Sequence, residues 1–390
     1  MYSELNPTQR ILMGPGPSDV APTVLRSMAT PLLGHLDPQF LGVMNDVMDM
    51  LRQVFQTENQ LTIPMSGTGS AGMETVFVNL IEPGDKVVVG VKGLFGQRMV
   101  DVAKRCGAEV ITVEAPWGRA IEPSQVKAAL QQHPGVKLVA LVHAETSTGV
   151  LQPLAEISQI VHEHEALLVV DAVTSLAGIE VGIDKIGIDA CYSGTQKCLS
   201  APPGLAPVTF NQKAAAVIAN RKQLVQSWYL DLSMIQNYWG NERLYHHTAP
   251  ITMNYALRET LRLILAEGLE NVYARHWTLG GALQKGLEGM GLKLLVDKDI
   301  RLPELTAVTI PDYVDDATVR KQLLAQYGIE IGGGLGAFKG KVWRVGLMGY
   351  SCNQRNVVLF LSALESVLKT NGYQAPVGAG VAAAMENLQK

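Results

Sequence analysis

The sequence predicts an α/β protein, with a large domain whose mostly parallel sheet is covered by helices and a smaller C-terminal α/β domain. Three observations carry that expectation. The chain has 390 residues, and at roughly 150 residues per domain this is two domains, or three. Hydrophobic residues make up 47% and charged residues 17%, enough apolar material for a large core and too little charge for a disordered chain. Between about residues 60 and 210, short β-branched apolar runs alternate with helix-like stretches, the βαβα pattern of an open α/β sheet.

Taken in order, residues 1–15 read as an N-terminal extension. The strand runs are Leu61–Met65, Lys86–Val89, Glu109–Val113, Val136–Val142 and Ala166–Val170. They are apolar on consecutive positions, as strands buried on both faces must be. Between them, 94–105, 123–132 and 153–164 read as helices, the last two opening on Glu-Pro-Ser-Gln and on Pro153, both good helix starts. A long helix over 250–267 ends before Gly268 and another covers 271–290. Strands are expected at 307–310 and 341–347, helices at 315–327 and 353–369, and a short helix or loose end over 374–390. The expected division is therefore a large domain over 16–267 and a small one over 268–390.

Composition excludes several roles. With 32 Lys+Arg against 36 Asp+Glu, the net charge of −4 lacks the basic surplus of a nucleic-acid binder. No apolar run approaches the roughly 18 residues of a membrane span, and the first residues lack a basic stretch leading into an apolar one. The four cysteines form no Cys-x-x-Cys pair, so reduced thiols in a cytoplasmic protein are expected.

Glycine is in excess, 38 of 390 residues, and it gathers in loops. Ser66-Gly-Thr-Gly-Ser-Ala-Gly-Met-Glu74 follows the first strand and opens a helical stretch. Glycines there let backbone approach an anion, and a helix N-terminus offers free N–H groups to a phosphate. Packing accounts for such a loop equally well. A dinucleotide site also needs an acid at the end of the second strand, and that strand ends Val89-Gly-Val-Lys92. A second stretch runs Asp189 to Gly204 and carries Lys197 after Ser193-Gly-Thr-Gln196. A lysine desolvated among small neighbours has a lowered pKa and an available amine; a surface lysine is the alternative. Upstream, Asp171 ends a buried strand, at the edge where open α/β sheets bind ligands; a cap for the next helix is the alternative. A phosphate loop, a strand-end Asp and a Lys together are the parts that hold pyridoxal phosphate.

At these residues the sequence resembles the class V aminotransferases of fold type I, within them the alanine–glyoxylate and serine–pyruvate group. The resemblance runs nearly end to end, through Gly14-Pro-Gly-Pro17, Gly34-His-Leu-Asp-Pro38, the Ser66–Gly72 loop, Gly93-Leu-Phe-Gly-Gln-Arg98, His143-Ala-Glu-Thr-Ser-Thr-Gly149, Tyr192-Ser-Gly-Thr-Gln-Lys197, Tyr245-His-His-Thr248 and Trp343-Arg-Val-Gly-Leu347. It implies pyridoxal 5'-phosphate as cofactor, Lys197 as the Schiff-base lysine and Asp171 facing the pyridine nitrogen. It places Thr68, Gly69, Ser70 and Gln196 on the phosphate, Phe95 on the ring face and Thr146 near the ring hydroxyl. Tyr245 and Thr248 would reach the phosphate of a neighbouring subunit, so a homodimer is implied. Arg344 would bind the substrate carboxylate, with the backbone of Gly14 and Gly16 nearby. Relatives often carry Trp where Phe95 stands and His at or near Ser70; Phe keeps an aromatic face and Ser keeps a donor.

The implied reaction is ping-pong transfer from alanine or serine to glyoxylate or pyruvate. A desulfurase or lyase with the same cofactor is the alternative, with Cys352 as its distal thiol. No metal is expected. In Tyr245-His246-His247, adjacent side chains on a regular element do not face one way. Arg344, inside the apolar run Val-Trp-Arg-Val-Gly, is a buried charge that asks for a bound anion.

Overall fold

The computed structural model describes residues 1–389. Its centre is a seven-stranded sheet built from β1 (Leu61–Ser66), β2 (Lys86–Val91), β3 (Glu109–Glu114), β4 (Val136–Val142), β5 (Leu167–Asp171), β6 (Ala190–Tyr192) and β7 (Leu205–Phe210), in the order β1-β7-β6-β5-β4-β2-β3. All five predicted strand runs are present. Strand β7 is antiparallel to both its neighbours, and the other adjacent pairs are parallel. Pro64 is tolerated because β1 is an edge strand.

The continuous apolar runs have a direct structural reason. Side chains of a strand alternate between faces, and here each face meets its own core. Val87, Val89, Leu138, Ala140, Leu167 and Val169 pack into one cluster with Phe77 and Tyr192. Val88, Val139, Leu141, Leu168 and Val170 pack into the other with Leu130, Ile157 and Leu257. The layers over the sheet include α1 (Pro38–Phe55), α2 (Gly69–Leu80), α3 (Leu94–Arg105), α4 (Pro123–Gln132), α5 (Ala155–Glu163) and α6 (Ile251–Glu267). Helix α1 lies outside the stretches read as helical above, yet it is well specified. The Asp37 side chain accepts from the Gln39 N–H at 2.8 Å, Pro38 occupies the first turn, and Phe40, Met44, Val47 and Leu51 form its buried stripe.

A third cluster joins Met13 to the C-terminal residues, including Trp343, Val345, Phe360 and Leu364. It lies between a three-stranded antiparallel sheet of β8 (Leu305–Thr309), β9 (Gly332–Gly333) and β10 (Val342–Gly346) and the helices α7 (Leu269–Gly289), α8 (Asp316–Tyr327), α9 (Gln354–Thr370) and α10 (Ala379–Leu388). Residues 11–13 reach this region. Ile11 and Leu12 pair in parallel with Ile329 and Glu330, and the Gly346 N–H donates to the Met13 carbonyl at 2.7 Å.

Glu304, next to β8, is fully buried, and neither carboxylate oxygen has a hydrogen-bond partner. Burial pushes its pKa from 4.5 to about 8. The folded protein therefore keeps a proton that the unfolded chain releases, and stability falls as pH rises between those values. Glu304→Met is expected to raise the unfolding free energy by about 4 kcal/mol at pH 7.5 and by about 1 kcal/mol at pH 5. Urea unfolding at both pH values measures this; a gain independent of pH would refute it.

Candidate active site

The site forms at the C-terminal edge of the parallel strands. Asp171 ends β5 and is register partner to Val142 on one side and Tyr192 on the other. Its carboxylate accepts from the Val173 N–H and from the Tyr192 hydroxyl, both at 2.8 Å. Burial raises its pKa to about 6, with Glu145 adding to the rise and the Val173 N–H, the Tyr192 hydroxyl and Lys92 opposing it.

Lys197 lies in the loop after β6 and is 9% exposed. Its ammonium donates to the Pro15 carbonyl. Gly16 has φ +103°, which favours glycine, and a Cβ there would come within 2.6 Å of the Lys197 Cδ and Nζ and displace the lysine. Ser18 fixes the strap over the lysine: its N–H donates to the Gln196 carbonyl at 2.9 Å and its hydroxyl to the Lys197 carbonyl at 2.7 Å. Burial lowers the Lys197 pKa to about 8, helped by Arg344 and opposed by Cys198 and Asp171.

The glycine loop turns from β1 into α2. Gly67 has φ +141°, and Thr68 takes the N-cap position with no side-chain bond to the helix. Thr68 and Ser70 are exposed, at a helix start whose first N–H groups have no helical acceptor. Gly69 lies against Gly194, and the Gln196 side chain comes close to Gly194 with its amide oxygen buried and unpartnered. Loop and helix start thus converge as anion donors, with the Gln196 side chain beside them.

Arg344 is 7% exposed, at the middle of β10. It donates from Nε to the Gly333 carbonyl at 2.8 Å and from Nη1 to the Thr146 carbonyl at 3.1 Å. Burial lowers its pKa to about 10 against the pull of Glu145. Among the described residues no carboxylate forms an ion pair with Arg344 or Lys197. Gly14 packs against Gly346 and Gly16 against Lys197, so the strap touches both the arginine's strand and the lysine. The Thr146 hydroxyl sits 2.5 Å from that of Thr174. Phe95, half-buried in the first turn of α3, has the Arg98 guanidinium 5.1 Å from its ring centre.

Tyr245 and Thr248 stand apart from this cluster. Both are exposed, with their hydroxyls 3.5 Å from each other. Their segment is tied to the end of β1 through His247, whose Nε2 lies 2.7 Å from the Ser66 hydroxyl. The segment is irregular, so the expectation that His246 and His247 face apart fails: their Nδ1 atoms are 2.8 Å from each other.

Three further residues reach the site without a role in the sequence reading. Tyr192 holds Asp171, Ser18 holds the strap, and Lys92 lies buried beside Glu145. Tyr192 alone had a visible signal, one strand end beside another. Cys352, the thiol a desulfurase would need, is 2% exposed, and burial pushes its pKa up to about 12. It precedes Asn353, which caps α9.

The family profile for class V aminotransferases matches residues 24–354. The chain is 43% identical to the (S)-ureidoglycine–glyoxylate transaminase of Bacillus subtilis, over 98% of this chain and 96% of that protein. The crystal structure of the Bacillus enzyme superposes with a TM-score of 0.97 at 44% identity, covering both chains fully. The alanine–glyoxylate aminotransferase of Mus musculus is 41% identical over 92% of this chain and 88% of its own length. A cysteine desulfurase from Thermococcus onnurineus, at 16% identity and a TM-score of 0.74 over 93% and 95% of the two chains, shares the fold alone. The chain therefore belongs to the class V aminotransferases, fold type I enzymes that depend on pyridoxal 5'-phosphate.

Proposed function

We propose that this enzyme moves the amino group of a small, singly carboxylated amino acid to glyoxylate in two half-reactions, with Lys197 carrying the proton. The supporting observation is the pair of buried cations, Lys197 and Arg344, that answer only to main-chain carbonyls. Buried charges left in this state await an anionic ligand. The same features fit pyridoxal phosphate. The start of α2, with Thr68, Gly69 and Ser70, suits its phosphate, and the Gln196 side-chain N–H groups would add donors beside it. Asp171 suits a protonated ring nitrogen, Phe95 a ring face and Thr146 the ring hydroxyl. When bound, the cofactor supplies an electron sink for the charge left on the α-carbon. Arg344 forks onto the α-carboxylate and fixes the reacting bond, and the Lys197 amine takes the α-proton and returns it.

Lys92, a further buried cation, is answered by Glu145 and Asp171, so it is not free for a side-chain carboxylate. The donors named for the Bacillus and mouse enzymes each carry one carboxylate. Turnover of glyoxylate with alanine, serine, (S)-ureidoglycine and glutamate tests this. The first three are expected to contain the best donor; a strong glutamate preference, or pyruvate displacing glyoxylate as best acceptor, overturns it.

The same reading includes a homodimer in which the partner subunit's Tyr245 and Thr248 complete the phosphate site. It is supported by two large exposed aromatic side chains on neighbouring segments. Tyr245 is 59% and Trp228 60% exposed, and their rings stack on or tilt against His35 and His246. Large aromatic side chains are enriched at contact surfaces. A monomer by sedimentation at assay concentration would refute it. The division into a cofactor domain over 16–267 and a small domain over 268–390 carrying Arg344 is supported by the separate C-terminal core cluster. A cytoplasmic location is supported by four free, buried thiols. Among the described residues no helix is long and apolar enough to cross a membrane.

A further inference from the structure

Lys92 follows β2 and is 2% exposed. An ammonium at that depth costs several kcal/mol unless charge answers it. Its hydrogen bond, 2.5 Å to the Val142 carbonyl, is to a neutral acceptor. The answering charges are Glu145 and Asp171, which favour its ionised form while burial lowers its pKa to about 8. Glu145 is fully buried. One of its oxygens accepts from the Ser147 hydroxyl at 2.5 Å and from the Ser147 N–H at 3.2 Å, and the other has no partner. Gly93 lacks a Cβ where Glu145 and Ser147 fill the space.

The carbonyl that receives Lys92 belongs to Val142, the register partner of Asp171, and the next N–H, that of His143, donates to the Asp171 carbonyl at 2.9 Å. Lys92 therefore sits behind Asp171 on the same sheet edge. The Val173 N–H and the Tyr192 hydroxyl favour the ionised carboxylate more strongly than Lys92 does, but as neutral donors; no other charged or titratable group facing Asp171 replaces Lys92. His143 is held neutral, its pKa lowered to about 3 by burial and by Lys92. Burial keeps Tyr192 and Cys191 protonated. Lys197 lends attraction only while it is charged, and its task is to act as a free amine. Glu145 repels.

We propose that Lys92 is a positioning residue for the cofactor's ring nitrogen: its buried ammonium, seated on the Val142 carbonyl between Glu145 and Asp171, keeps Asp171 ionised so that Asp171 can hold the ring proton. The inference rests on the assignment of Asp171 to that nitrogen. Glu145 then works against Lys92, and the two side chains set the Asp171 charge in opposite directions.

The test uses the cofactor-free protein, with aspartate carboxyl carbons labelled with ¹³C and the Asp171 signal identified by its loss in Asp171→Asn. Asp171 is expected to titrate near pH 6, higher in Lys92→Met and lower in Glu145→Gln. Pyridoxal-phosphate binding should weaken about tenfold at pH 7 in Lys92→Met. The deficit should shrink as pH rises, and Lys92→Arg should recover most of it. A merely structural role would weaken binding in both variants by a factor independent of pH. An unmoved titration, or one moving the same way in both variants, overturns the proposal. If Lys92→Met does not fold, Lys92→Gln, which keeps a donor for the Val142 carbonyl, carries the test: an upward move of the Asp171 titration supports the proposal and any other result overturns it. If Asp171→Asn binds the cofactor as tightly as the wild type, the assignment of Asp171 itself falls. If that variant is impaired but Lys92→Met titrates as the wild type does, only the role of Lys92 falls.

Discussion

Replacing Lys197 by alanine lowers amino-transfer turnover by about four orders of magnitude, the upper range for losing a positioned base. The reason lies in where the amine sits. Its pKa of about 8 leaves roughly a tenth of it neutral at pH 7, far more than an ordinary lysine near 10.4 provides. The neutral form is both the nucleophile that captures the cofactor aldehyde and the base that takes the α-proton. Capture of pyridoxal phosphate by the cofactor-free protein should therefore speed up about tenfold per pH unit below about 8 and level off above it, since deprotonation is then complete. Stopped-flow absorbance between pH 6 and 10 measures this, and an inflection near 10.4 would reject the desolvated lysine. Small alkylamines added to Lys197→Ala should restore part of the rate, because the strap at Pro15–Gly16 leaves room once the side chain is gone. A variant that kept full turnover would end the proposed mechanism.

Much of this site is legible in sequence because its parts obey local rules. Asp171 is the lone acid at the end of an apolar run, and Lys197 follows small residues after another strand. In the loop at 67–72, Gly67 turns at φ +141° while Gly69 and Gly72 pack against Gly194 and Ala206. What escapes a linear reading is set by the third dimension. Lys92 looks like any solvated lysine at a strand end, and only the sheet order, which seats β2 beside β4, buries it on Val142. Residues 11–15 look like an extension because their partners lie near residues 330 and 346. Strand β7 lacks a periodic warning of its reversal: the turn chemistry of Pro202-Pro-Gly204 marks a loop but not the direction taken after it. His246 and His247 face each other because their segment is not a regular element, the one premise on which their separation rested.

Replacing Arg344 by leucine lowers kcat/KM for an amino-acid donor by about a thousandfold, the 3–5 kcal/mol cost of removing one partner from a desolvated charge pair. The loss should fall largely on KM, since the carboxylate is held before and during proton transfer alike. Arg344→Lys should recover only part of it: a point charge replaces a planar fork that already spends one arm on Gly333 and another on Thr146. Those two contacts raise a rival account, in which leucine merely loosens β9 and the loop holding Thr146. An amine donor without a carboxylate separates the two. If Arg344 recognises the carboxylate, kcat/KM for ethylamine, slow in the wild type, changes less than about threefold on substitution, and the dissociation constant for pyridoxal phosphate stays the same. If the arginine is structural, ethylamine and alanine lose rate in equal proportion and cofactor binding weakens with them. The first outcome is expected, because buried Arg344 has no carboxylate ion-paired to it among the described residues, and a buried guanidinium kept in that state has its partner in the substrate.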